Sequence, residues 1–142
     1  MVEVSFYILA TAGMQTRFQF ACKLIEKAYR SGSFCYVLTD SEQNNHTLDE
    51  LLWIFRPTSF VPHQIYQGEM PKFSNTVLIG HQPAPLQWQK IILNLSSNPP
   101  TDLSNTEKVL EILDNDEQIK VIGRQRFRYY KKLGIEPITH KI

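Results

Sequence analysis

The chain has 142 residues and sets 15 Lys and Arg against 14 Asp and Glu, for a formal net charge of only +1 and an isoelectric point near 7.8. That balance excludes a bulk nucleic-acid binder coated in positive charge, and 42% hydrophobic residues suit an ordinary globular domain able to build a core without staples. No stretch approaches the length of a membrane span, and the opening Met1-Val-Glu-Val-Ser-Phe-Tyr is acidic with too short an apolar run for a signal peptide, so no membrane partner and a cytoplasmic location are expected.

Taken in order, Val2 to Leu9 is a β-rich run that fits a buried first strand. Met14 to Arg30 follows at helical spacing, with Phe18, Ala21, Cys22, Ile25, Ala28 and Tyr29 on one side and Ser31-Gly32 as its end. Phe34 to Thr39 reads as a second buried strand, which completes a βαβ unit with parallel strands and a right-handed crossover. Cys22 and Cys35 fall inside these apolar runs and read as buried free thiols of a reducing compartment. Asp40 to His46 is a polar loop, and Thr47-Leu-Asp-Glu50 has the form of a capping box that opens a helix through Leu51, Leu52, Trp53 and Phe55, stopped by Pro57.

Ser59-Phe-Val-Pro-His63 is apolar, but its proline keeps it from being a central strand, which leaves Phe60 and Val61 as either core or an exposed docking edge. Tyr66 to Ser74 is expected to be a loop, Thr76 to Ile79 a third strand, Gly80 to Pro85 a rigid turn and Gln89 to Leu95 a fourth strand. Leu103 fits an extended piece, before helical runs from Thr106 to Leu113 and from Asp116 to Leu133. The pattern predicts one domain over residues 1–142, an α/β three-layer fold with helices on both faces of a mainly parallel sheet of about four to five strands.

The final helical run concentrates the charge. Between Lys120 and Lys132 lie six of the 15 Lys and Arg residues, and no acid falls inside. At 100° per residue Ile119, Ile122, Tyr129, Tyr130 and Leu133 gather on one side as a core face. Lys120, Arg124, Arg128 and Lys131 follow the i, i+4, i+8, i+11 rows of another side, with Phe127 at its edge. Asp116 and Glu117 at the start, Lys131 and Lys132 at the end, and Gly134 as a C′ residue before Pro137 all suit the ends of a helix. A cationic row is ordinarily a solvated face. Here like charges on adjacent turns lack acidic i+4 partners and aromatic rings interleave them, which points to an anionic ligand.

Residue types that carry catalysis or hold cofactors are not arranged to do so. The turn Ala10-Thr-Ala-Gly-Met-Gln-Thr16 has a single glycine, Gly13, and forms neither a dinucleotide fingerprint nor a phosphate loop with its lysine. His46, His63, His81 and His140 have no paired spacing with each other or with the cysteines, so no metal site is expected. Asp40, Asp49 and Glu50 look like loop and capping residues, no nucleophile elbow is present, and His63 is expected to hydrogen-bond the neighbouring backbone. Neither a catalytic residue nor a cofactor is assigned.

The combination of Phe6-Tyr, Ser31-Gly, Leu48-Asp-Glu-Leu-Leu-Trp53, Arg56-Pro, Ser59-Phe-Val-Pro-His63 and Arg124-x-Arg-Phe-x-x-Tyr-Lys-x-x-Gly134 resembles the chi subunit family of bacterial DNA polymerase III, in the same order over nearly the whole chain. The segments from Gln64 to Ser74 and from His81 to Gln87 match poorly and nothing is carried onto them. The resemblance implies a Rossmann-like fold without a working nucleotide site and a non-catalytic subunit of the DNA-directed polymerase complex. Such a subunit pairs with psi and grips the acidic C-terminal tail of single-stranded-DNA-binding protein, touching DNA only indirectly. A helicase-like protein is a further implied partner, at the psi surface.

Carried over residue by residue, the implied tail site is Lys120, Arg124, Phe127, Arg128 and Lys131, with Leu113 as apolar wall. The implied psi contacts are Trp53 and Phe60 with the adjoining Val61. The family often has Tyr where this chain has Phe127, Lys where it has Arg128 and Arg where it has Lys131, which keeps the charge but loses a hydroxyl and moves the bidentate group. The residues alone leave one alternative open: the same basic helix, with Phe127, Tyr129 and Tyr130 as stacking rings, could bind single-stranded nucleic acid directly.

Overall fold

In the computed structural model, which describes residues 2–55, 60–73 and 75–142, β-rich and amphipathic runs alternate along the chain as a parallel sheet requires. The elements are β1 (Glu3–Ile8), α1 (Met14–Arg30), β2 (Cys35–Leu38), α2 (Glu42–Phe55), β3 (His63–Ile65), β4 (Val77–Gly80), a 3-10 turn (Leu86–Trp88), β5 (Ile91–Asn94), β6 (Lys108–Leu113), α3 (Glu117–Lys132) and β7 (Ile138–Lys141). The strands form one sheet in the order β3-β4-β2-β5-β6-β1-β7, and every pairing in it is parallel.

Helices cover both faces. On one face Phe18, Ala21, Cys22 and Ile25 of α1 and Leu48 and Leu52 of α2 pack on Cys35, Val37, Ile79, Leu93 and Ile112. On the other face α3 lays Tyr130, Ile119 and Phe127 over Val4, Phe6, Val109 and Leu113. Beside α3 on that second face, Trp88 of the 3-10 turn packs with Tyr36 and Leu78 and donates its indole N–H to the Thr76 carbonyl at 2.8 Å. Both cysteines are free and buried, and burial pushes their thiols up to about 12.

The ends of α3 fix its position. Asp116 accepts from the backbone N–H groups of Gln118 and Ile119, at 2.9 and 3.2 Å, and so caps the start. At the finish Gly134 takes φ 83°, which only glycine adopts without strain, and Ile135 N–H returns to the Tyr130 carbonyl at 3.1 Å. Gly123 lets the helix lie close: a methyl group there would stand 2.6 Å from both terminal carbons of Leu113.

Several expectations are corrected. The sheet has seven strands, not four to five, because β3, β6 and β7 were not read as strands. Thr106 to Leu113 is not a helix; Lys108–Leu113 is an inner strand between β5 and β1. Helix α2 starts at Glu42, six residues ahead of Leu48: Ser41 Oγ accepts from Asn44 N–H, so Ser41 fills the cap role assigned to Thr47, whose hydroxyl instead bonds the Gln43 carbonyl one turn back. Leu133 is exposed, since it falls at the C-cap after the last helical turn, while Tyr130 takes the centre of the core face. Pro57 as a helix stop, the Arg56-Pro pair, Ser59 and Ser74 lie outside the described residues.

Candidate docking sites

The phosphate position that a nucleotide-binding α/β domain offers at the first helix N-terminus is filled here by a carboxylate. Asp114, just past β6 and almost fully buried, accepts from Gly13 N–H at 3.2 Å and from Arg17 Nε at 2.9 Å, and its other oxygen takes Asp116 N–H at 2.8 Å. A phosphate arriving there would meet a like charge already holding the donors.

Helix α3 separates its charged residues into two populations. Arg126 turns inward. Its Nε lies 3.0 Å from Glu111 Oε1, while Glu111 Oε2 receives Tyr130 O–H at 2.5 Å and Asn94 Nδ2 at 3.0 Å. Burial pushes the Glu111 carboxyl up, and Arg126, Tyr130 and Asn94 pull the other way; burial and then Glu111 raise Tyr130 above the ordinary phenol range. One of the six clustered cations is thus a core residue that ties α3 to β5 and β6.

The remaining cations point outward. Arg124, Arg128 and Lys131 are exposed and Lys120 is partly so, and all sit on the side away from the sheet. Phe127 is half-buried between them and the core: its ring lies 5.4 Å from that of Phe6, it packs in the cluster holding Leu113, and Lys131 Nζ stands 5.8 Å from its centroid. Leu113 itself is 8% exposed, so it forms the floor under Phe127 more than an open wall. Tyr130 is wholly buried, whereas Phe127 and Tyr129 are both half-buried and keep part of their rings accessible.

A second surface is apolar. Trp53 on α2 is 58% exposed and Phe60 is 53% exposed, with ring centroids 5.0 Å apart, which removes the reading of both as core aromatics. Val61, by contrast, is buried in the main core and offers no comparable surface; it anchors the segment that presents Phe60. His63 locks this segment to α2: Nδ1 bonds the Val61 carbonyl at 2.7 Å, Nε2 lies 3.1 Å from the Asp49 carbonyl and 3.3 Å from its carboxylate, and the Trp53 ring meets it edge-on at 5.1 Å. Ile54, the next residue along α2, is 72% exposed.

The family described as "DNA polymerase III chi subunit, HolC" matches residues 1–137. The chain belongs to the DNA polymerase III chi subunit family. Proteins named DNA polymerase III subunit chi are similar to it over nearly their whole length: the one of Pseudomonas aeruginosa is 31% identical over 144 residues, covering 100% of this chain and 98% of its own. That of Haemophilus influenzae is 27% identical, covering 96% and 95%, and that of Escherichia coli 24% identical, covering 94% of each. Membership in the chi family makes the chain an accessory subunit of the replicative polymerase.

Within this chi fold, the residues singled out from the sequence divide cleanly by position. The structure brings Lys120, Arg124, Phe127, Arg128 and Lys131 together over Leu113 on α3, and Trp53 with Phe60 over Val61 on the α2 side of the sheet. The sequence reading missed Phe6, which backs Phe127, and the inward turn of Arg126; a lone acid at the centre of an apolar strand, Glu111, was the available signal for the latter. It placed Glu117 at the helix start but missed that the carboxylates of Glu117 and Glu136 reach Lys120 and Lys131, at 3.6 and 3.7 Å.

Proposed function

We propose that this chi-family chain is a two-sided adaptor: the α3 surface grips the acidic C-terminal tail of single-stranded-DNA-binding protein, and the Trp53–Phe60 surface docks the psi subunit of the clamp loader. The reading rests on one observation above the others. Two exposed guanidiniums, Arg124 and Arg128, flank a half-buried Phe127 ring set on an apolar floor of Phe6 and Leu113. A tail of aspartates closed by Pro-Phe needs this mixture, cations for the carboxylates and an apolar seat for the last ring. The aromatic pair on the other side, exposed yet backed by His63, has the form of an interface anchor.

Direct binding of single strands is the weaker alternative, because stacking needs accessible ring faces and Tyr130 is wholly buried with its hydroxyl on Glu111. The adaptor has no catalytic step of its own and would work in the cytoplasm beside the polymerase, meeting DNA through its partners. A helicase-like protein using the psi surface would compete with psi. The test is separation of function: Arg124→Ala is expected to abolish tail binding and leave psi binding intact, and Trp53→Ala to do the reverse. A folded single variant of either kind that loses both would contradict two independent sites.

A further inference from the structure

The two ends of the α3 stripe differ from its middle. Lys120 Nζ lies 3.6 Å from Glu117 Oε1 and Lys131 Nζ 3.7 Å from Glu136 Oε1, whereas Arg124 and Arg128 face no carboxylate among the described residues. The Glu117 and Glu136 side chains are 84% and 79% exposed, far more open than the lysines they reach. Exposed pairs of this kind contribute little to the fold. Glu117 also lies in the first turn of α3, where an acid suits the helix dipole, but Glu136 lies past the helix end and has no such role. Each places an acid at one end of a surface that must take an anion.

We infer that Glu117 and Glu136 are built-in competitors for the anionic ligand of α3, which lower its affinity and bias the surface toward a ligand with several negative charges. This deepens the tail-docking reading and rests on it. From Lys120 to Lys131 the helix rises by about 16 Å. A ligand with a single carboxylate engages the free central arginines and gains nothing from the ends. An extended acidic segment of about five residues, at roughly 3.3 Å each, spans the stripe and displaces both glutamates as it binds. Glu117 and Glu136 then act as a threshold: the lysines contribute only when ligand carboxylates replace the chain's own.

The experiment is a fluorescence-anisotropy titration, at low and at physiological salt, of a labelled acidic peptide ending in Asp-Ile-Pro-Phe. It compares wild type, Glu117→Gln, Glu136→Gln, the double variant, and Glu50→Gln as a control that changes net charge equally at an exposed site on α2. Each single variant is expected to bind about threefold more tightly at low salt, and the double about tenfold, since the two ion pairs lie at opposite ends of the stripe, share no partner and add. The control is expected to be unchanged. A gain of affinity separates competition from structural damage, which would only weaken binding. Unchanged or weaker binding in both variants, or an equal gain in the control, overturns the inference and leaves tail docking standing. If wild type fails to bind the peptide even at low salt, tail docking falls and the inference falls with it.

Discussion

Replacing Arg126 by Met probes the buried network that seats α3. Glu111 is fully buried, and its carboxylate is held by Arg126 at 3.0 Å, Tyr130 at 2.5 Å and Asn94 at 3.0 Å. Removing one partner of a buried ion pair costs about 3–5 kcal/mol, because the remaining charge has been stripped of water without compensation. For 142 residues the unfolding entropy is about 0.3 kcal/mol per degree. The midpoint should therefore fall by about 10–17 °C in a thermal melt followed by circular dichroism.

Two features make this sharper. Glu111→Gln combined with Arg126→Met removes both charges while keeping an acceptor for Tyr130 and Asn94, so the double variant should be more stable than Arg126→Met alone. The guanidinium also opposes the upward push of burial on the Glu111 carboxyl. Without it the carboxyl rises further and binds a proton more readily in the folded state than in the unfolded state, so the deficit should shrink as pH falls from about 8 to about 5. A fall under about 3 °C, or a double variant as unstable as the sum of the singles, would refute this account of the network.

Trp53→Ala and Phe60→Ala should each cost under about 1 kcal/mol in urea unfolding, because both rings are exposed, while weakening psi binding by more than tenfold in a pull-down or titration calorimetry. His63→Ala should cost about 2–3 kcal/mol, since it removes the ring that bridges the Val61 carbonyl and Asp49 of α2, and a urea midpoint that falls at unchanged slope would report it. Cys22 and Cys35, with thiols pushed up to about 12 from 9.0, should resist a disulfide reagent at pH 8 until the protein is unfolded. The unfolded chain releases those protons first, so stability should fall as pH rises from about 9 to about 12.

What could be read from the sequence followed one rule: where one side of an element faces the core and the other faces water, periodicity reports it. Met14–Arg30 was read to its ends because Phe18, Ala21, Cys22 and Ile25 are buried and the far side is polar. The signal fails where both faces are buried. Lys108–Leu113 carries Leu110 and Ile112 toward the helices α1 and α2 and Val109, Glu111 and Leu113 toward α3, so its apolar residues also satisfy a helical count, and an acid inside it reads as solvent exposure until Arg126 is seen beside it.

It fails again where local propensity is overruled by tertiary bonds. In Glu42-Gln-Asn-Asn-His46 the last three are weak helix formers, yet Asn45 is fully buried, accepting from the Thr39 hydroxyl and donating to His81 Nδ1 at 3.1 Å. Ile138–Lys141 is exposed throughout and offers no pattern; pairing with β1 alone makes it a strand. The charged row on α3 was legible because its outward cations keep helical spacing, whereas the exposure of Trp53 and burial of Val61 depend on which way the Phe60–His63 segment is pinned, a fact set by His63 and Asp49.

The central claim, that the α3 surface reads an acidic protein tail, is tested most directly by fluorescence anisotropy of a labelled peptide ending in Asp-Ile-Pro-Phe against wild type and Arg124→Ala, with a bare single-stranded oligonucleotide as competitor. The account predicts binding in the micromolar range that weakens with salt, vanishes in the variant and is barely displaced by the oligonucleotide. Tight oligonucleotide binding with no response to the peptide would contradict it and assign the stripe to nucleic acid.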